Sequence, residues 1–144
     1  MRLKGSKQLT DSVRFGAKAV ALRLRLAAML RDRSMPELLR DLTPRSPRSP
    51  RTPRSTPLPS VQVALSAAEA LLARVPVAPD TCLYRALARY SILRSAGHPA
   101  RFVMGIRPGA PDITGHAWVE IDGRPYREDV DPALIVTYSY PAGQ

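Results

Sequence analysis

The chain has 144 residues, a formal net charge of +10, 15 prolines and one cysteine. That length allows one modest domain, and a lone cysteine excludes an intrachain disulfide or a multi-thiolate zinc site, which fits a reducing cytoplasm. The charge is lopsided: residues 1–60 carry 14 Lys or Arg against 4 Asp or Glu, whereas residues 61–144 carry 8 of each. All the excess lies in the first part, so a nucleic-acid site on the remainder loses its electrostatic support. Arg23, Arg25 and Arg31 interrupt the one greasy stretch, which argues against a membrane span and against a signal peptide.

In chain order, residues 12–30 place Val13, Ala17, Val20, Leu24 and Ala27 at steps of three and four, the spacing of one helical face, with Arg14, Lys18 and Arg25 on a basic side. A second short helix is expected over residues 36–42, with Pro36 in its first turn. Residues 1–43 thus read as a basic amphipathic helical arm, whose stripe more commonly packs on its own domain than docks to an acidic or membrane surface. Residues 44–59, PRSPRSPRTPRSTPLP, repeat Ser/Thr-Pro-Arg and read as a solvated linker, because proline removes amide donors and like charges oppose collapse.

The periodicity resumes with Val61, Ala64, Leu65, Ala68, Leu71 and Leu72, a helix closed by Pro76 and Pro79. Asp80 or Thr81 then caps a helix whose stripe is Leu83, Ala86, Leu87, Tyr90 and Leu93, ending at Gly97. Beyond it the period falls to two, and strands are expected over 101–106, 116–121 and 133–140, with Asp122-Gly123 as a hairpin turn. Helices followed by an antiparallel sheet make an α+β domain over residues 60–144.

Cys82 falls in the first turn of its helix, where free amides and the helix dipole favour a thiolate and can receive an oxyanion. Taken alone, an isolated cysteine is more often a small buried apolar residue. A thiol nucleophile needs a base on another rigid element, and His116 at a strand start supplies one; His98, beside Pro99, reads as a surface residue. The acid that would fix the imidazole comes from Glu128, Asp129 or Asp131. A two-residue turn would pair His116 with Asp129, and a three-residue turn with a bulge would bring Glu128 to it. Trp118 is expected to point away from His116 into a core, and Glu120 to share the His116 face as an exposed carboxylate.

The stretch from Thr81 to Tyr126, TCLYRALARYSILRSAGHPARFVMGIRPGAPDITGHAWVEIDGRPY, resembles the transglutaminase-like cysteine peptidases of lasso peptide biosynthesis, the B proteins that remove the leader from a ribosomally made precursor. Cys-Leu opening an arginine-containing helix, Leu-Arg-x-x-Gly ending it, a strand with Gly105 and then HAWVE-x-DG-x-P carry the likeness. The resemblance implies a papain-like fold, Cys82 as nucleophile, His116 as general base and acid, and the acid at Glu128, with Asp129 and Asp131 as alternatives; Asp122 belongs to the turn. It further implies leader cleavage through a thioester resolved by water, with no metal or cofactor. No leader-recognition module is legible in residues 1–60, so a separate recognition protein is expected to deliver the precursor peptide, with an ATP-dependent cyclase downstream. Two other readings compete: a transglutaminase or amide ligase using the same Cys-His site, and a non-enzymatic basic binding protein supported only by the arm.

Overall fold

A computed structural model describes residues 3–45, 55–76, 80–109 and 114–142, with side chains from residue 9 onward. Among the described residues, four helices precede and support one sheet: α1 (Leu3–Asp32), α2 (Met35–Leu42), α3 (Leu58–Leu72) and α4 (Cys82–Ser95), then β1 (Ala100–Ile106), β2 (Gly115–Ile121), β3 (Arg124–Pro125) and β4 (Ile135–Tyr140). The sheet is antiparallel in the order β3-β2-β1-β4. The expected α+β class holds. No helix among the described residues is long and apolar enough to cross a membrane.

α4 is the centre of the molecule. Every residue from Ala86 to Leu93 is buried, because α1, α2 and α3 as well as β1 and β2 pack against the helix. The predicted stripe is therefore only part of its buried surface. Tyr90 meets Phe102 and Tyr140 edge-on, with ring centroids 6.5 and 6.2 Å apart. The helix ends as the glycine implied: Gly97 takes φ 89°, its N–H donates to the Arg94 carbonyl and that of His98 to the Leu93 carbonyl, a Schellman closure.

α1 corrects the expected stripe. Val13 and Leu24 are 64% and 52% exposed, whereas Phe15, Ala19, Arg23 and Leu26 are buried. The packed face also follows steps of three and four, but Arg23 lies at its centre and makes it look polar. The Arg23 guanidinium is inside because it reaches Asp80 at 3.0 Å. Phe15 and Leu26 of α1, Leu38, Leu39 and Leu42 of α2, and the interior of α3, α4 and the sheet form one hydrophobic cluster. Residues from both 1–43 and 60–144 thus contribute to one core. Leu26→Ala is accordingly expected to lower the unfolding free energy by about 2–5 kcal/mol, and Leu24→Ala by no more than about 0.5 kcal/mol, as read by urea denaturation.

Most of the expected linker, residues 46–54, lies outside the described residues. Its last residues are tied down: the Thr56 N–H donates to the Ala96 carbonyl at 2.9 Å, and the Thr56 carbonyl lies 2.8 Å from His98 Nε2. His98 is therefore a fastener at the end of α4 rather than free surface. In α3 the expected face is buried apart from Leu71, which is 55% exposed.

Candidate active site

Cys82 is the first residue of α4, after Thr81 in extended conformation at the N-cap (φ −99°, ψ 162°). The thiol is half-buried and packs against the hydrophobic cluster. The first turn has no earlier carbonyls to bond, so its amides are directed out of the helix start.

His116 stands near the beginning of β2, opposite Gly105 of β1. Gly105 suits the close packing there: a Cβ would lie 3.0 Å from the Ile135 carbonyl oxygen and 3.1 Å from the Trp118 ring, so either neighbour would have to give way by a few tenths of an ångström. Trp118 does not point away from His116. Residues two apart on a strand share a face, and the two rings stack at 5.9 Å with 15° between their planes. The Trp118 indole N–H donates to Glu120 Oε1 at 3.0 Å, so His116, Trp118 and Glu120 make one row, while Ala117 and Val119 face the helical core.

The hairpin resolves the choice of partner for His116 in an unexpected way. Asp122 and Gly123 both take positive φ, 51° and 74°, the signature of a two-residue type I′ turn, and the pairs are Ile121 with Arg124 and Glu120 with Pro125. Continued, that register would bring Asp129 to His116. It does not continue, because after the bond from Tyr126 N–H to the Val119 carbonyl the chain breaks out of the ladder at Arg127, φ 60°. Glu128 is thereby turned onto the imidazole, with Oε2 2.7 Å from His116 Nε2. Asp129 is exposed, and Asp131 is committed to Arg107 and to the Ala133 N–H.

Two residues that sequence reasoning passed over complete the cluster. Arg89, two turns after Cys82 on α4, donates through Nη1 to Glu128 Oε1 at 2.8 Å. Its Nε and Nη2 donate to Glu69 of α3 at 2.7 and 3.3 Å. Burial disfavours the Arg89 cation, but the hydrogen bond and charge of Glu69, with the charge of Glu128, outweigh it and hold the guanidinium above its usual range. The available signal was an arginine inside a run of positions that are otherwise apolar or small. Beside the cluster an open cleft of about 220 Å³ is lined by Glu69, Asp80, Arg85, Arg89 and Glu128.

Chemically, an ionised carboxylate only accepts hydrogen bonds, so the proton between Glu128 and His116 resides on Nε2 and the ring's lone pair on Nδ1. An imidazole fixed in that tautomer can take and return a proton through Nδ1. Glu128 thus ties the strand bearing His116 to the helix that begins at Cys82. Among the described residues no hydrogen bond joins the Cys82 thiol to the His116 ring.

Compared with known protein families, residues 19–138 match the transglutaminase-like superfamily. No curated protein and no solved structure gave a match. The matched span runs from within α1 to within β4, taking in the elements that carry Cys82, His116 and Glu128, and on that match the chain belongs to the transglutaminase-like superfamily.

Proposed function

We propose that the protein is a cysteine peptidase that removes the leader from a ribosomally synthesised lasso peptide precursor, with Cys82 as nucleophile, His116 as general base and acid, and Glu128 as the acid that orients the imidazole. The observation that carries the reading is the 2.7 Å contact between His116 and Glu128, coupled through Arg89 to the helix that begins at Cys82. Membership of the superfamily supports cysteine chemistry, and the resemblance of residues 81–126 supports the substrate.

In this mechanism His116 Nδ1 accepts the Cys82 thiol proton as sulfur attacks the scissile carbonyl, and first-turn amides of α4 receive the oxyanion. Collapse of the tetrahedral adduct breaks the C–N bond, and the imidazolium gives its proton to the departing amine. The core peptide leaves with a free N-terminus, and the leader stays on Cys82 as a thioester. Water then gives a proton to His116 and attacks the thioester. The thiolate is expelled and reprotonated, releasing the leader with a new carboxylate. A reduced cytoplasm suits the thiol, and a separate recognition protein supplying the precursor, with an ATP-dependent cyclase using the core, belongs to the same reading.

The test is the fate of the acyl group. With precursor, ¹⁸O-water and an excess of a labelled primary amine, the released leader is expected to carry ¹⁸O in its new carboxylate and no amine, by mass spectrometry. Amine capture in preference to water would replace the peptidase by an amide-forming transferase on the same site.

A further inference from the structure

We infer that Arg89, backed by Glu69, is a positioning residue that fixes the carboxylate of Glu128 and, through it, the ring of His116; the inference rests on the role proposed for His116. Glu128 follows the break at Arg127, beyond the last pair of the β2–β3 ladder, so no strand register restrains it. Its side chain has several rotatable bonds, and without a partner on the far side the carboxylate would exchange between imidazole and water. Instead each oxygen has one partner, Oε1 the Arg89 guanidinium and Oε2 the imidazole.

The guanidinium can do this because it is itself immobile. Arg89 is 8% exposed, in the all-round buried section of α4, and its other edge is engaged by both oxygens of Glu69. The planar fork serves two carboxylates in fixed directions at once, which a lysine ammonium on a flexible stem cannot reproduce. A second strap runs in parallel: Arg127 donates to Ser66 Oγ at 2.8 Å and approaches Glu69 Oε2 at 3.8 Å. Glu69 therefore anchors both cations, and α3, which contributes no residue to the proposed chemistry, sets the geometry of the residue that orients the imidazole.

The experiment reads His116 directly by proton and nitrogen NMR of the ring, with His98, the only other histidine, as an internal reference held by the Thr56 carbonyl. The wild-type Nε2 proton of His116 is expected downfield and slow to exchange. In Arg89→Met it should move upfield and exchange at least about tenfold faster, with His98 unchanged; kcat for leader cleavage should fall by about 10- to 100-fold with KM within about twofold, the pattern of a misplaced group. Arg89→Lys keeps the buried charge should the methionine variant fail to fold, and it should restore the signal only in part, because one ammonium cannot hold both carboxylates. A wild-type signal in Arg89→Lys, or in folded Arg89→Met, while Glu128→Gln displaces the signal, would overturn the positioning role and leave the proposed chemistry standing. A signal unmoved even by Glu128→Gln would remove the His116–Glu128 pairing, and the acid's assignment with it.

Discussion

Replacement of Cys82 or of His116 by alanine is expected to lower kcat for leader cleavage by about 10⁴- to 10⁶-fold, each change alone costing nearly as much as both together, because the members of a nucleophile-base unit do not act independently. Neither change should unfold the protein. Cys82→Ala removes one sulfur from a half-buried position, and His116→Ala leaves Glu128 its Arg89 partner, so no buried carboxylate is stranded. The expected far-ultraviolet circular dichroism is that of wild type, and the precursor should still bind. Near-wild-type turnover by either purified variant would end the cysteine-peptidase reading, whereas superfamily membership would stand.

Why some of this was legible in the sequence and some was not follows from where the information lies. α4 was readable because its start, its apolar content and its closing glycine are local signals, and they place Cys82 in the first turn as found. The packed face of α1 is not legible locally because the position at its centre is Arg23, a residue type that local patterning assigns to solvent. Its burial is licensed by Asp80, 57 residues away, and no local pattern reports such a partner. Trp118 was a matter of counting rather than information, since the period of a strand already puts it on the His116 face. Arg89 combines both difficulties: it is hidden among core positions of α4, and its meaning depends on Glu69 from α3 and Glu128 from the loop after β3.

The acid shows the same limit most sharply, and it sets the second large effect. Hairpin arithmetic selected Asp129 for the turn that is in fact present, and the family resemblance selected Glu128; a left-handed residue at Arg127 lets the turn and Glu128 coexist. Glu128→Gln is expected to reduce kcat by about 10²- to 10⁴-fold, for a reason more specific than lost charge. Arg89 offers only N–H donors and demands an oxygen, so the new amide should give its oxygen to Arg89 and turn its NH₂ toward His116 Nε2. That nitrogen would then have to accept, forcing the ring proton onto Nδ1 and removing the lone pair needed by the thiol. Asp129→Asn alters an exposed side chain with no such contact and should stay within about twofold of wild type, the usual outcome at a surface site. Asp131→Asn loosens the Arg107 pair and the turn at Ala133 and should cost a few-fold at most. Steady-state rates of the three purified variants decide the matter. Were Asp129→Asn the crippling change and Glu128→Gln mild, the 2.7 Å contact would not be the working one, and the loop after β3 would have to rearrange before catalysis.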